Sequence, residues 1–234
     1  MMARTADSKA KRGQAGTAPK KVRIMVVDDH PIMREGLTRV IEEAGDLAVC
    51  AQAESIQRAL ELIEKTEPGL IIVDIGLGGT NGLELIKDVK ARHPKLPVLV
   101  HSMHEEQVYA QRSLQAGARG YLMKQEPAAK LLQAIRQVLS GEIYLSETMT
   151  RRMLHRVAGS PSGKGLSPVE CLSDRELEVF ELLGRGQKTK EIAGQLHLSV
   201  KTVQTYCEHL KEKLLLRDAT SLVRFAVQWA EAQK

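Results

Sequence analysis

The segment GLIIVDIGLGGTNG, residues 69–82, decides the architecture that the sequence predicts. Four consecutive aliphatic residues end in a carboxylate, Asp74, and a glycine-rich loop follows at once. Short aliphatic runs bounded by turn residues are typical of strands that are buried on both faces of a parallel sheet. Side chains at the tip of such a strand leave the core and enter a crevice, so Asp74 is a candidate for chemistry.

Four further aliphatic runs flank this strand, and helical hydrophobic spacing follows each run. They are VRIMVV, LAVCAQA, PVLVHS and GYLM, and the alternation extends over residues 22–141. Strict alternation of strands and helices predicts an α/β domain with a five-stranded parallel sheet covered by helices on both faces. In such a sheet, ligands bind beyond the carboxyl ends of the strands.

The alternation stops after residue 141. Residues 142–170 are predicted to be a helical and flexible linker, because RVAGSPSGKGLSPVE is rich in glycine, serine and proline. Only helical segments follow, so residues 171–234 are predicted to form a small all-α domain.

Composition and charge narrow the class of protein. No apolar stretch approaches the roughly 18 residues that a membrane span requires, and the N-terminus lacks the apolar centre of a secretory signal. We therefore expect a cytoplasmic protein without membrane contact. Three cysteines lie far apart without metal-ligand spacing and are interpreted as packing residues: Cys50, Cys171 and Cys207.

The net charge of +5 is unevenly distributed. Residues 1–21 hold six Lys or Arg and one acid, and they are predicted to be a disordered basic tail, with an arm that touches DNA as the alternative. Residues 182–217 hold seven basic and three acidic side chains, which favours a polyanionic partner for the second domain.

Polar side chains follow four of the five predicted strands, where all strand ends meet at one edge of the sheet. They are Asp28, Asp29, Asp74, Ser102 and Lys124. Carboxylates that share a crevice repel each other unless a cation is present, and hard oxygen ligands suit Mg²⁺. A lysine and a hydroxyl facing that metal would stabilise a phosphoryl group, with Asp74 as its nucleophile.

Each of these side chains also has a structural interpretation. Asp28 and Asp29 could cap a helix that begins near Pro31, Asp74 could begin a turn, and Lys124 could be a solvated loop residue. Their convergence from several strands favours a functional site over these separate roles.

Here the sequence resembles a known family. The segments VVDDHPIMREGL, IIVDIGLGGTNGLELI, LVHSMHEE and GARGYLMK resemble the signature regions of the receiver domains of two-component response regulators. The resemblance implies a flavodoxin-like fold and phosphorylation of Asp74 by a histidine kinase. It also implies that Asp29, Asp74 and the Gly76 carbonyl ligate Mg²⁺ while Asp28 acts through water. Lys124 and Ser102 would hold the phosphoryl oxygens, and Tyr121 would swing inward when Ser102 moves.

The loop after Asp74 departs from the family. Receiver domains usually have a Met-Pro or Leu-Pro pair here, whereas this chain has Leu77-Gly78-Gly79. Glycine removes the fixed backbone angle that proline supplies, so we expect a more mobile loop.

The helical domain contains two segments joined by the short break LHLS, in which Ser199 is a good N-cap. This spacing predicts a helix-turn-helix. The side chains that would face a major groove are Lys201, Thr202, Gln204, Thr205, Glu208 and Lys211. A plain helical bundle with a solvated charged face is the alternative.

The same region resembles the LuxR-type DNA-binding domain through LSDRELEVFELL, TKEIAGQLHLSVKTV and KEKL. A receiver followed by this domain is the layout of the NarL/FixJ response regulators. The resemblance implies a transcription regulator that binds paired DNA half-sites as a homodimer when phosphorylated. Its recognition helix departs from the family at Gln204, Tyr206 and Glu208.

The last helical segment carries an apolar stripe that includes Leu222, Phe225 and Trp229. Such a stripe is typical of core packing. In the resembled family the corresponding helix contributes to the DNA-bound dimer, so these residues are also a possible dimer face.

Two other functional classes are weighed. An aspartate-nucleophile phosphatase would have a second acid two residues after the nucleophile, but position 76 is glycine, so we expect no enzyme beyond Mg²⁺-dependent self-phosphorylation and dephosphorylation at Asp74. A receiver-linked module that binds another protein instead of DNA remains an alternative because Glu208 is acidic.

Overall fold

The structure is a computed structural model that describes residues 21–158 and 168–232. The predicted N-terminal tail, apart from Lys21, and the centre of the predicted linker lie outside these residues.

A five-stranded parallel sheet forms the first domain, as the alternating pattern predicts. Its strands are β1 Val22–Val27, β2 Leu47–Ala53, β3 Leu70–Val73, β6 Val98–Ser102 and β7 Gly120–Met123. Their order across the sheet is β2-β1-β3-β6-β7. The flavodoxin-like fold class is therefore confirmed, and β3 occupies the centre of the sheet because both of its faces are apolar.

Helices connect the strands and cover the two faces of the sheet. They are α1 Pro31–Glu43, α2 Ile56–Thr66, α3 Gly82–Arg92, α4 Glu106–Ala116 and α5 Ala128–Leu139. Pro31 occupies the first turn of α1, where its missing N–H costs nothing, and Ser55 caps α2 by accepting from Arg58 N. Two buried apolar layers result, one on each face of the sheet.

The loop after Asp74 folds into a short β-hairpin. Strand β4 Gly76–Leu77 pairs antiparallel with β5 Thr80–Asn81. The two turn residues, Gly78 and Gly79, have φ of +50° and +91°. A two-residue hairpin turn with both φ values positive favours glycine and excludes proline, whose φ is held near −65°. The Gly-Gly departure thus has a conformational reason.

The helical region follows as the sequence predicts. Its elements are α6 Glu147–Val157, a 3₁₀ turn Pro168–Cys171, α7 Asp174–Gly184, α8 Thr189–Gln195, α9 Val200–Lys213 and α10 Ala219–Ala232. Ser173 and Glu176 form a reciprocal capping box at the start of α7. Ser199 accepts from Thr202 N at the start of α9, so α8 and α9 form the helix-turn-helix.

The last helix packs as its apolar stripe indicates, whereas one cysteine does not pack as expected. Leu222 is 1% exposed, and Phe225 and Trp229 lie against Phe180 with ring centroids 5.7 Å and 5.5 Å away. This apolar stripe packs inside its own domain because α7 lies against α10, so it does not present Leu222 as a dimer face. Cys171 is exposed, which contradicts its interpretation as a packing residue, whereas Cys50 and Cys207 are half-buried.

In the described part of the chain, every helix is too short or too polar to cross a membrane.

Candidate functional site

The carboxyl ends of four neighbouring strands bring the predicted polar side chains together. Asp28 follows β1, Asp74 follows β3, Ser102 ends β6, and Lys124 follows β7. The strands are adjacent in the sheet, and backbone hydrogen bonds fix the tips: Asp74 N donates to Val27 O, and Lys124 N donates to Ser102 O, both at 2.9 Å. Sheet register therefore determines where these side chains meet.

Lys124 links two of the carboxylates. Its Nζ lies 2.6 Å from Asp74 Oδ2 and 2.6 Å from Asp28 Oδ2, and the side chains of all three residues are buried. Burial by itself would lower the pKa of Lys124, but the adjacent carboxylates of Asp28 and Asp74 outweigh it, so the pKa is raised. Lys124 is therefore a permanent positive charge in this site at neutral pH.

The other oxygen of Asp74 accepts from a hydroxyl. Ser102 Oγ donates to Asp74 Oδ1 at 2.6 Å, and Ser102 is fully buried. Gly76 N lies 3.4 Å from the same oxygen. Both carboxylate oxygens of Asp74 are thus held by donors, which orients the side chain at the base of the crevice.

Tyr121 lies next to Ser102 in an inward position. Its ring is already fully buried, and its hydroxyl donates to His104 O at 2.6 Å. Burial, and then the charge of Asp74, raises the pKa of Tyr121, so the phenol is a neutral donor. The ring of Tyr121 thus already faces inward in this structure, and its movement with Ser102 stays a prediction.

Four side chains could hold a metal ion. Ligand atoms of Asp28, Asp29, His30 and Asp74 all lie within 4.8 Å of one another. Asp29 Oδ1 is buried and accepts no hydrogen bond within the described residues, although His30 Nδ1 lies 2.7 Å away without hydrogen-bond geometry. A buried carboxylate oxygen without a donor fits a hard divalent cation.

Gly76 and His30 also lie at this candidate metal site. Gly76, whose carbonyl is the predicted backbone ligand, lines the same crevice. His30 was not predicted as a site residue, and its position directly after the aspartate pair was the available signal.

Gly82 allows α3 to begin against the acceptor. A Cβ atom at this position would overlap the Asp74 carbonyl oxygen. Asn81 caps the helix by accepting from Leu83 N at 2.8 Å. This close approach explains why glycine stands at the start of α3.

The predicted DNA-facing residues lie on α9 as expected from their spacing. Lys201, Gln204, Thr205 and Glu208 are exposed, whereas Thr202 and Lys211 are half-buried. Glu208 Oε2 lies 2.7 Å from Lys211 Nζ. The acid on this helix is therefore partly neutralised by a neighbour one turn away, a pairing that the i,i+3 spacing could have indicated.

The crevice above Asp74 also has walls from the helical domain. Its volume is about 470 Å³, and six residues of the helical domain line it together with the residues of the sheet edge: Glu178, Glu181, Leu182, Arg185, Gln195 and Leu196. The sequence offered no signal for these six residues, because they lie more than 100 positions from Asp74 and reach it only through domain packing.

Comparisons with known proteins follow this division of the chain. Residues 24–136 match the response regulator receiver domain, and residues 170–226 match the LuxR family of bacterial regulatory proteins. The transcriptional activator protein ExaE of Pseudomonas putida is 36% identical over 205 residues, which cover 88% of this chain and 95% of that protein. The response regulator GacA of Pseudomonas protegens is 34% identical, with 88% and 96% covered.

Solved structures show the same architecture. A LuxR-family two-component response regulator from Aurantimonas sp. SI85-9A1 is 33% identical, with a TM-score of 0.56, and the match covers 59% of this chain and 99% of that chain. RcsB of Salmonella typhimurium shares the fold at 23% identity, with a TM-score of 0.66 and coverage of 89% and 98%.

Three observations indicate the same family: the two family matches, the relatives that span nearly the whole chain, and the cluster of side chains at the sheet edge. The chain belongs to the response regulators of the NarL/FixJ type, which join a receiver domain to a LuxR-type DNA-binding domain.

Proposed function

We propose that Asp74 accepts a phosphoryl group from a histidine kinase and that this modification controls transcription through α9. The observation that carries the proposal is the position of Asp74, whose two oxygens face Ser102 and Lys124 beside Asp28. Curated relatives of the chain are transcriptional regulators, so a regulated output at DNA suits this site.

Each side chain has a chemical role in this proposal. A carboxylate oxygen of Asp74 attacks the phosphorus of the donor, a new P–O bond forms, and the bond to the leaving group breaks with its electron pair going to that group. Lys124 and the Ser102 hydroxyl would then stabilise the phosphoryl oxygens. Asp28, Asp29, Asp74 and the Gly76 carbonyl would hold Mg²⁺, which supplies positive charge for the transferred group. The only reaction proposed for the chain is formation and hydrolysis of this acylphosphate.

The output is proposed to be binding of promoter DNA in the cytoplasm. The exposed side chains of α9 fit readout of a major groove, and we assign contacts with bases or phosphates to Lys201, Gln204 and Thr205. Structures of RcsB, a protein of the same fold, include one bound to a promoter with a phosphomimetic and one with two dimers on two DNAs. We infer that a phosphorylated homodimer of this chain binds paired half-sites.

The domain boundaries belong to the same proposal. We place the receiver at residues 22–141, the linker at residues 142–170 and the DNA-binding domain at residues 171–234.

Labelling of Asp74 tests the proposal. Purified protein is incubated with acetyl phosphate and Mg²⁺ and measured by intact-mass spectrometry. We expect one phosphoryl adduct that disappears in Asp74→Asn and persists in Asp46→Asn, a matched change at an exposed aspartate that pairs with Arg136. Equal labelling of Asp74→Asn would contradict the assignment.

A gel-shift assay with the chain's own upstream DNA tests the output. We expect binding that increases after labelling. Absence of binding in both states would favour the alternative of a protein-interaction module, which the acidic Glu208 on α9 suggests.

A further inference from the structure

His30 occupies the N-cap of α1 without capping the helix. Serine, threonine, aspartate and asparagine are preferred at such a position, because their side chains accept from the first free N–H groups. The imidazole of His30 accepts no such hydrogen bond, and 70% of the side chain is exposed. The start of the helix therefore gives no reason for an imidazole, and the ring remains available to a ligand.

The ring of His30 lies against the aspartate pair. Its Nδ1 is 2.7 Å from Asp29 Oδ1 and 3.2 Å from Asp28 Oδ1. Of these two contacts, the one with Asp28 has hydrogen-bond geometry and the one with Asp29 does not. Together with Asp74, these residues place one ligand atom each within 4.8 Å of one another. A nitrogen donor thus belongs to the same cluster as three carboxylates.

Backbone donors hold one oxygen of each aspartate of the pair. His30 N donates to Asp28 Oδ1 at 2.9 Å, and Gly78 N donates to Asp29 Oδ2 at 3.0 Å. The other two oxygens, Asp28 Oδ2 and Asp29 Oδ1, are buried and have no hydrogen-bond partner in the two described stretches of the chain. Asp28 is 1% exposed, and Lys124 Nζ lies 2.6 Å from its Oδ2 as an ion pair. Buried carboxylate oxygens without hydrogen-bond donors are suited to a divalent cation.

The charges of the site also favour a divalent ion. Lys124 compensates one of the three carboxylates Asp28, Asp29 and Asp74. Two formal negative charges remain in the cluster, and like charges in one crevice repel each other. A neutral imidazole adds a donor without adding charge. The cluster thus offers both oxygen and nitrogen to an ion of charge +2.

The nitrogen donor changes which ion the site prefers. Carboxylate and carbonyl oxygens suit Mg²⁺, whereas imidazole suits ions such as Zn²⁺ and Ni²⁺. Affinity for nitrogen and oxygen sites also rises along the first transition row from Mn²⁺ to Cu²⁺. Mg²⁺ is a hard ion that keeps several waters, so it gains little when a nitrogen replaces one of them. His30 therefore favours transition ions over Mg²⁺.

We propose that His30 is a nitrogen ligand of the metal site and gives that site a preference for a divalent first-row transition ion, such as Co²⁺ or Zn²⁺, over Mg²⁺. The inference rests on the metal site of the proposed function and adds a ligand to its oxygen atoms. Asp28, Asp29, Asp74 and the Gly76 carbonyl remain the oxygen ligands. The consequence is that the ratio of the affinities for Co²⁺ and Mg²⁺ depends on His30.

Metal titrations of the untagged full chain test the proposal. Isothermal titration calorimetry measures the dissociation constants of Co²⁺ and of Mg²⁺ with no phosphodonor present. His30→Asn removes the imidazole, and His30→Asp replaces it with a carboxylate. Both replacement residues are good N-caps, so α1 keeps its start. His93→Asn is the matched control, because His93 Nε2 lies 3.1 Å from Glu64 at the opposite edge of the sheet.

The two ions are expected to respond differently. His30→Asn should weaken Co²⁺ binding about tenfold or more, since even the outer partners of metal ligands are worth about 10–100-fold in affinity. Mg²⁺ binding should change by less than about twofold. His30→Asp should strengthen Mg²⁺ binding relative to Co²⁺ binding, because it exchanges a nitrogen donor for a hard oxygen. His93→Asn should leave both affinities unchanged.

Proton NMR of the Co²⁺ complex tests ligation directly. The paramagnetic ion strongly shifts the carbon-bound protons of an imidazole that it binds. Wild type and His93→Asn should show such shifted imidazole resonances, and His30→Asn should lose them. A purely structural role of His30 would not produce these signals.

Three results would overturn the proposal. They are an equal loss of affinity for both ions in His30→Asn, a gain for both ions, which would show that the ring competes with the cation, and the absence of shifted imidazole resonances. Binding of neither ion to wild type would overturn the inference together with the magnesium site. Labelling of Asp74 is measured separately, so a chain that takes no label while His30 sets the ion preference would contradict the proposed phosphorylation and keep this inference.

Discussion

Lys124 Nζ donates a hydrogen bond of 2.6 Å to Asp74 Oδ2, and both side chains are almost completely buried. The contact places the positive charge of the lysine next to the candidate nucleophile, at the carboxyl end of the central strand. Removing one partner of a buried ion pair leaves the other charge uncompensated, which is the costly case for such pairs.

We predict that Lys124→Met destabilises the protein by about 3 kcal/mol, because Asp28 and Asp74 then share a buried crevice without a cation. Added Mg²⁺ should recover more stability in this variant than in wild type. Urea unfolding with and without Mg²⁺ measures both effects.

Lys130→Met is the matched control, since Lys130 pairs with Glu126 on the surface and half of its side chain is exposed. Its loss should change the unfolding midpoint little, because water screens exposed pairs. Equal effects of the two substitutions would mean that Lys124 is not the compensating charge.

Ser102 is predicted to transmit the state of Asp74, since its hydroxyl contacts the carboxylate and the His104 backbone N–H. Beryllofluoride should raise the dimer fraction of wild type in sedimentation velocity, and Ser102→Ala should reduce that rise. Ser113→Ala is the control, because Ser113 Oγ on α4 is buried and finds no hydrogen-bond partner among the residues that the structure describes. A full response from Ser102→Ala would exclude this coupling.

His101 is predicted to make stability pH-dependent. Burial lowers the pKa of His101 from 6.5 to about 4. Between these values the unfolded chain binds more protons than the folded chain, so stability falls as pH drops from about 6.5 toward 4. The difference between these two pKa values corresponds to a loss of about 3 kcal/mol of stability across that window.

Denaturant unfolding at pH 4 to 7 measures this dependence. His101→Leu should flatten it, whereas His155→Leu, at an exposed position on α6, should leave it unchanged. A wild-type slope in His101→Leu would assign the effect to other groups.

The two unusual residues of α9 are predicted to act differently on DNA. Gln204 can make a bidentate contact with adenine, so Gln204→Ala should weaken specific binding by about 1–3 kcal/mol and leave random duplex unaffected. Glu208→Lys should strengthen binding to random duplex, because it adds a cation and frees Lys211 from its ion pair. Its salt dependence should steepen by about 0.9 for each new phosphate contact.

Fluorescence anisotropy over a salt series separates these effects. Glu231→Lys is the control, since it makes the same charge change at an exposed position on α10. If Gln204→Ala and Glu208→Lys alter specific and random DNA equally, α9 does not read the sequence.

The parallel sheet, the strand tips that carry Asp74, Ser102 and Lys124, and the helix-turn-helix were all predictable from the amino-acid sequence. These features follow from local sequence, because the period of the hydrophobic residues identifies each strand or helix. Parallel pairing then places the carboxyl ends of all strands at one edge of the sheet. His30 could also have been predicted as a site residue, because it directly follows the aspartate pair.

Three-dimensional packing was needed to reveal the hairpin of Gly78 and Gly79 and the position of α7 and α8 beside the crevice of Asp74. The contacts of Gly79 with Gln195 and of His104 with Glu181 join residues far apart in the chain. No sequence period encodes such contacts, because they depend on how two separately patterned domains fit together in space.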